Sequence, residues 1–431
     1  MSSVSLAHQV ALWRKDFHRH PELGFLEFRT AARVCSVLSG LTGWRLRVGR
    51  DVMVSDSRMN VPPIDEIQEA RQEACAAGAN PEWVARFGDG LTGIVADWKF
   101  PVDGPVVAFR FDMDALPVLE TPEPAHRPNR EGFASVRAGR MHACGHDAHT
   151  AMGMGLATLV ANIRPAWRGT LRLIFQPAEE GCRGAPSMVA AGVVNDVDWL
   201  VCGHIGVAAR QTGDIVCSAQ GLLAVTIFHV RFRGRSAHAG LEPHKGCNAL
   251  LAAATCAQQL HALPRHAEGI SRVNVGVIDA GTASNIIASD ALLKCEVRGQ
   301  TTAINHFLME ESRRVVSACA ALYGVTAEIE VVGEAAGLAT SDLALIDIVK
   351  EAAAVTPGVK EVRERANTPG SEDASCLIEA VRSRGGLGTY LLVGSAMPAG
   401  HHHDAFDLED EAMAIGVDLY AAIAARLLRR S

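Results

Sequence analysis

The sequence predicts an α/β protein in which a larger domain, built on a buried and mostly parallel sheet, is interrupted by a smaller α+β domain. Three observations carry that expectation. The runs PVVAFRFDMD, GTLRLIFQP and VDWLVCGH are short, rich in β-branched residues, apolar on both faces and separated by helix-length stretches, which is the pattern of strands covered by helices on both sides. From about Leu222 to Gly333 the order changes to strand, helix, strand, strand, helix, strand, a split β-α-β arrangement of the ferredoxin-like kind. At 431 residues the chain also exceeds what one ordinary core organises. The expected division is a discontinuous α/β domain over residues 1–221 and 334–431, with an inserted domain over 222–333.

Taken in order, the segment from Leu6 to about Leu38 carries apolar residues at helical spacing, broken at His20-Pro21, where a proline ends or restarts a helix. It reads as two helices around a loop. Residues 55 to 90 are polar, rich in Glu, Gln and Ala, and punctuated by Pro62-Pro63, Gly78 and Pro81, so they read as a helix-bearing insertion. The three apolar strands follow and end in Asp112/Asp114, Glu179/Glu180 and His204. In such sheets reactive groups gather beyond the carboxyl ends of the strands. The inserted domain then supplies LLAVTIFHVRF, CNALLAAATCAQQLHAL, RVNVGVIDAG, ALLKCEVRG, INHFLMEESRRVVSACAALYG and VTAEIEVVG. Helix and strand alternate from there to a C-terminal helix, and the last chemically rich loop is GSAMPAGHHHDAFD.

Composition narrows the function classes. Apolar residues make up 48% of the chain, yet no run reaches eighteen uninterrupted apolar positions, so no membrane span is expected. The N-terminus lacks the basic start and apolar stretch of a secretory signal, and the eleven cysteines are scattered, which points to reduced thiols in the cytoplasm. The net charge of −7 is spread along the chain without a Lys/Arg cluster among aromatics, so nucleic acid is not an expected partner.

The loop MHACGHDAHT packs three histidines, a cysteine and an aspartate directly ahead of AMGMGLATLVANI. A thiolate and an imidazole two residues apart, Cys144 and His146, reach adjacent positions on a metal such as zinc. The alternative is a loop of exposed histidines around one buried thiol. In FQPAEEG, Glu179 and Glu180 place two negative charges side by side at a strand end. A metal resolves that conflict if one carboxylate binds it and the other takes a proton from bound water. The alternative is a helix start, where the macrodipole favours acids. His204 and the trio His401, His402 and His403 offer further nitrogen donors. A different enzyme reading makes Cys144 a nucleophile with His142, His146 or His149 as its base.

Together these segments, with RKDFHRHPELGFLEFRTA, GRSAHAG, GTASNIIA and SEDAS, fall in one family's order along the whole chain. The sequence resembles the aminoacylase and carboxypeptidase group of dinuclear metallopeptidases, in the branch of indoleacetyl-amino-acid hydrolases, hippurate hydrolase and the A chain of p-aminobenzoyl-glutamate hydrolase. The insertion at 55–90 makes it look most like the p-aminobenzoyl-glutamate and indoleacetyl-aspartate enzymes. The resemblance implies a catalytic metallopeptidase domain with the inserted domain as lid and dimerisation element. It implies two divalent ions, Mn²⁺ or Zn²⁺, bridged by Cys144 and completed by His146, Glu180, His204 and His402, with His401 and His403 as alternatives to His402. Glu179 matches the general base, Asp114 an acid that supports the site, and His238, Asn285 and Arg298 match positions that reach toward substrate. The implied substrate is a small N-acyl amino acid, with an aryl or indoleacetyl conjugate of an acidic amino acid favoured over broader N-acyl substrates. The implied assembly is a homodimer through the inserted domain, or a heteromer with a related second subunit, in which this chain could also be the non-catalytic, metal-retaining partner.

Overall fold

A computed structural model describes residues 3–338 and 340–429. They form two compact units, one comprising Met1–Gln220, Thr340–Thr368 and Asp373–Ser431, the other Gly221–Ala339 and Pro369–Glu372.

The first unit opens with helices α1 (Ser3–Arg19) and α2 (Phe28–Ser39), strand β1 (Arg45–Val48), helices α3 (Ile64–Ala76) and α4 (Pro81–Arg86) and strands β2 (Ile94–Lys99) and β3 (Val106–Asp112). Next come helices α5 (Arg127–Glu131) and α6 (His146–Ile163), strand β4 (Thr170–Gln176), helix α7 (Ala185–Ala190) and strands β5 (Trp199–Ile205) and β6 (Asp214–Gln220). The second unit holds β7 (Ala224–Arg233), α8 (Ala249–His261), β8 (Ser271–Ala280), β9 (Asp290–Gly299), α9 (Thr302–Tyr323) and β10 (Thr326–Ala335). The chain then completes the first unit with α10 (Leu343–Ala353), β11 (Glu361–Asn367), α11 (Ala374–Arg382), β12 (Leu387–Val393) and α12 (Asp410–Leu428).

In the first unit an eight-stranded sheet runs β1-β2-β4-β3-β5-β12-β6-β11. It is parallel through its centre, β4-β3-β5-β12, and again between β6 and β11. At the flanks, β1 and β2 join it antiparallel on one side and β12 meets β6 antiparallel on the other. The central strands are buried on both faces from their second residue onward, as helix-covered parallel strands must be. Helix α6 lies against them with nearly every side chain buried. Its approach depends on two glycines: a methyl at Gly153 would fall 2.7 Å from the Phe111 and Phe175 rings, and one at Gly155 would fall 2.8 Å from Val10 and Val417. Helix α1 buries Leu6, Val10, Trp13 and Phe17, spaced one helical turn apart. Because β3, β4 and β5 are parallel neighbours, their carboxyl ends sit side by side, and the chain leaves all three ends carrying acids or a histidine.

The second unit is a four-stranded antiparallel sheet, β10-β7-β9-β8. Its connectivity, β7-α8-β8-β9-α9-β10, gives the spatial order of a ferredoxin-like sheet. Helices α8 and α9 supply one hydrophobic layer, with Ala252, Cys256, Leu260, Leu308 and Val316 packed on Phe228, Phe232, Leu293 and Val297. Strand β8 is an edge, and it exposes Val277 and Ile278.

Candidate metal centre

The histidine-rich segment is half loop and half helix. Gly145 (φ +95°) turns the chain into α6, so His146, Asp147 and His149 lie in the helix's first turns while Cys144 stays in the loop ahead. A side chain at position 145 would meet Ile205 at 2.7 Å, which reserves it for glycine. His142, His146 and His149 are only 1%, 0% and 2% exposed, so this is not a loop of solvent-facing histidines.

Asp114, just past β3, organises the neighbouring strand end. Its two carboxylate oxygens accept the backbone N–H of Glu179 at 3.0 Å and of Glu180 at 2.9 Å. His146 Nδ1 donates to the Asp114 carbonyl at 2.9 Å. With Nδ1 carrying the proton, His146 Nε2 presents a lone pair to the site. At the end of β5, His204 Nδ1 donates to the Ile205 carbonyl at 2.8 Å, which leaves its Nε2 lone pair 3.4 Å from Cys144 Sγ.

The three C-terminal histidines separate cleanly. His402 sits in the left-handed region (φ +64°), donates its N–H to the Ala143 carbonyl at 2.7 Å and brings Nε2 to 3.5 Å from Glu180 Oε1. His401 donates through Nε2 to the Ile205 carbonyl at 3.1 Å and packs edge-on against His204. His403 is exposed and pairs with Asp404 at 2.8 Å.

The donor atoms therefore converge. Those of Cys144, His146 and His204 lie within 4.8 Å of one another, and so do those of Cys144, Glu180 and His402, and of His146, Glu179 and Glu180. The groups overlap at Cys144, His146 and Glu180. Burial, then the Glu180 carboxylate, pushes the Cys144 thiol well above its ordinary range. Burial also pushes Glu180 up to about 7, with Asp114 and Asp112 adding to the rise against the pull of His146. Burial and the nearby His149 and His401 keep His204 neutral. Left to itself, this cluster resists ionising Cys144, Glu180 and His204, while against the pull of burial Asp112 raises His146 well above its ordinary range. His146 Nε2 and Glu180 Oε1 are buried without a hydrogen-bond partner. Divalent cations answer every one of these demands: they ionise the thiol, accept neutral imidazole nitrogen and compensate the carboxylates. The same surroundings argue against a nucleophilic cysteine, which needs a depressed thiol pKa and an available base.

Around these donors lies a supporting layer that the sequence did not assign. Asp112 accepts from His149 Nδ1 and from Arg110, and Glu27 accepts the Ala178 N–H at 2.8 Å at the turn before Glu179. Asp112 was visible as a strand end and His149 as part of the dense loop. Neither carried a signal of what it bonds.

The remaining sequence-derived residues lie in the second unit. His238 and Asn285 are exposed on neighbouring segments, where Ala239 N–H donates to the Asn285 carbonyl at 3.0 Å. His238 Nδ1 accepts from Gly240 and Leu241 N–H at 3.1 and 3.2 Å, so its Nε2 is the donor. Arg298 is elsewhere, near the far end of β9, where it pairs with Val225 at the start of β7. Its guanidinium engages both Glu296 oxygens at 2.9 Å. At about 3.3 Å per residue, the eight residue steps from Asp290 to Arg298 put roughly 26 Å between Arg298 and the end of the strand that Asn285 precedes.

A family model, Peptidase family M20/M25/M40, matches residues 108–426. The chain is 45% identical over 420 residues to indole-3-acetyl-aspartic acid hydrolase of Enterobacter agglomerans, covering 97% of this chain and 96% of that protein. It is 44% identical over 421 residues to the A chain of p-aminobenzoyl-glutamate hydrolase of Escherichia coli K12, with coverage of 97% and 96%. Among solved structures, the aminobenzoyl-glutamate utilization protein of Klebsiella pneumoniae superimposes with a TM-score of 0.85 at 41% identity, covering 98% of this chain and 97% of that one. A dinuclear metal-binding M20 peptidase of Bacillus subtilis superimposes with a TM-score of 0.66 at 28% identity, covering 99% of each.

Proposed function

The chain belongs to peptidase family M20/M25/M40, and from that premise we propose that it is a metal-dependent amidohydrolase cutting the amide bond of aryl or indoleacetyl conjugates of an acidic amino acid. The observation that carries the reading is the convergence of thiol, imidazole and carboxylate donors on one point beside a second glutamate, Glu179.

We assign Cys144, His146, Glu180, His204 and His402 as the residues that would hold two divalent ions. The mixed donor set suits Zn²⁺ or Mn²⁺. When bound, the ions lower the pKa of a water from about 16 toward neutrality and polarise the scissile carbonyl. The chain's own groups do the rest. Glu179 removes the water proton as the oxygen attacks the carbonyl carbon, then delivers that proton to the departing amine as the C–N bond breaks. Asp114, through the two backbone N–H groups it holds, keeps Glu179 and Glu180 facing the same point. His238 Nε2 and the Asn285 amide are donors for the substrate's oxygens. Arg298 meets a substrate carboxylate only by exchanging it for Glu296.

Arg298 and the His238/Asn285 pair lie near opposite ends of one sheet, and the assembly this reading favours is a homodimer through that unit. The exposed β8 edge, with Val277 43% and Ile278 51% exposed, offers the pairing surface. The E. coli relative is by its name one of the subunits of its hydrolase, which keeps a heteromer with a related second chain in play for this protein. Among the described residues no helix is long and apolar enough to cross a membrane, and no disulfide links the eleven cysteines, which fits a reducing compartment such as the cytoplasm.

The test is hydrolysis of p-aminobenzoyl-glutamate, indole-3-acetyl-aspartate and an N-acetyl amino acid by chelated protein, before and after Mn²⁺ or Zn²⁺ is restored. Activity on the first two that returns with metal supports the reading. Preference for the N-acetyl substrate shifts it to a broader deacylase, and silence of the metal-loaded chain on all three points to a missing partner subunit.

A further inference from the structure

His149, like His142, is a member of the histidine-rich segment that the mechanism leaves without a task. Its ring is 2% exposed and packs edge-on against His204, with centroids 4.5 Å apart. Both nitrogens are engaged. Nε2 accepts the Ile205 N–H at 2.9 Å, which fixes the proton on Nδ1, and Nδ1 donates to Asp112 Oδ1. An imidazole held this way has no lone pair left for a metal.

The peptide it grips joins His204 to Ile205, so His149 fixes the backbone that carries the His204 ring, and the next peptide fixes the ring itself. The Ile205 carbonyl accepts from His204 Nδ1 at 2.8 Å and from His401 Nε2 at 3.1 Å. His204 Nε2 points at Cys144 because Nδ1 is tied to that carbonyl, whose own peptide is anchored through the Gly206 N–H on the Val393 carbonyl at 2.8 Å, while His149 holds the preceding peptide and packs against the His204 ring. Behind His149 stands a buried polar chain. Arg110 donates to Asp112 Oδ2, to Gln176 Oε1 at 2.8 Å and to Asp373 Oδ1 at 3.0 Å. Asp373 Oδ2 in turn accepts the Gly184 and Ala185 N–H groups at 3.1 and 2.9 Å, just after the turn that carries Glu179 and Glu180.

We propose that His149 is a positioning residue: braced by Asp112 and Arg110, it holds the His204–Ile205 peptide and the face of the His204 ring and thereby aims His204, so that it governs how tightly one of two metal ions is held without touching either. The inference rests on the reading that the site holds two divalent ions. Removing an imidazole's outer partner weakens metal binding or activity by roughly 10- to 100-fold, and here the loss falls on the His204 side alone.

The experiment is a stepwise titration of the chelated full-length chain with Zn²⁺ against a competing chelator, with metal content and steady-state kinetics on the same samples. In His149→Phe one binding step weakens by about 10- to 100-fold while the other keeps its wild-type affinity, and kcat falls with KM little changed. His149→Gln, whose amide accepts from Ile205 and donates to Asp112, recovers most of the loss. If His149→Phe does not fold, Asp112→Asn asks the same question. An asparagine there meets a donor with its own NH₂ on one side, either Arg110 or His149 Nδ1–H, and breaks the brace. Equal weakening of both steps, an unchanged titration, or no recovery with His149→Gln overturns the proposal. A wild-type chain that binds no metal at all overturns the two-ion reading instead.

Discussion

At the ends of β3, β4 and β5 the chemical side chains are buried or nearly so, and each has its ring or its own backbone pinned by a neighbour; in the inserted sheet His238 and Asn285 are exposed and held through main-chain bonds between loops. His146 and His204 have their outer nitrogens on carbonyls, both glutamates hang from Asp114, and His402 is tied to Ala143. The difference follows from what each region must do. A group that binds a cation or moves a proton tolerates little displacement, so its orientation has to be over-determined. A group that reads substrate can close on it and needs only a loop with room to move.

The largest effect separates chemistry from structure. Glu179→Gln should lower kcat by roughly 10²- to 10⁴-fold, the range for losing a general acid–base, with metal content unchanged by elemental analysis. Near-normal turnover in that variant would remove Glu179 from its role and with it the reason for so rigid a strand end. Next comes the histidine trio. His402→Ala should weaken metal binding by at least 10- to 100-fold in a chelator competition, whereas His403→Ala, whose ring faces Asp404, should leave affinity as it is. The reverse ranking would mean that the 398–406 loop rearranges when metal enters.

For the inserted sheet the expected change is in assembly first. Ile278→Glu places a charge on the exposed β8 edge and should shift light scattering from dimer toward monomer while both ions stay bound. If turnover falls together with dimer content, residues from two copies serve each site. If the variant stays dimeric, the copies meet elsewhere or the chain pairs with a different subunit.

The same contrast explains what could be read from the sequence. Cys144, His146 and the glutamate pair were legible because a thiol, three imidazoles and adjacent acids are costly to bury without a cation, and their crowding signals one. The buried strands β3, β4 and β5 announced themselves as apolar runs. By contrast β11, EVRERAN, is mostly polar and half exposed, so no period marked it, and the antiparallel flanks β1 and β2 have no turn signal between them because α3 and α4 intervene. His149 was illegible for another reason. Its residue type and position say ligand, and only the Ile205 N–H on one nitrogen and Asp112 on the other say otherwise. Arg298 was grouped with His238 and Asn285 by the family resemblance alone, and the sheet's length separates them.

The smallest effect belongs to the metal-free protein. Burial pushes Glu180 up to about 7, from an ordinary 4.5. The folded chain therefore binds a proton that the unfolded chain has released across that interval, and stability must fall as pH rises from about 4.5 to about 7. Each unit of separation is worth about 1.4 kcal/mol, so denaturant melts of chelated protein at the two ends of the window should differ measurably. Glu180→Gln should flatten that part of the slope, and saturating metal should remove it in the wild-type chain, because a bound cation favours the carboxylate that burial penalises. A slope that survives Glu180→Gln would assign the pH dependence to another buried acid. Glu27, which burial and Asp114 raise to about 8, would then extend the window upward, and the support beneath the site rather than the donors themselves would set the cost of standing without metal.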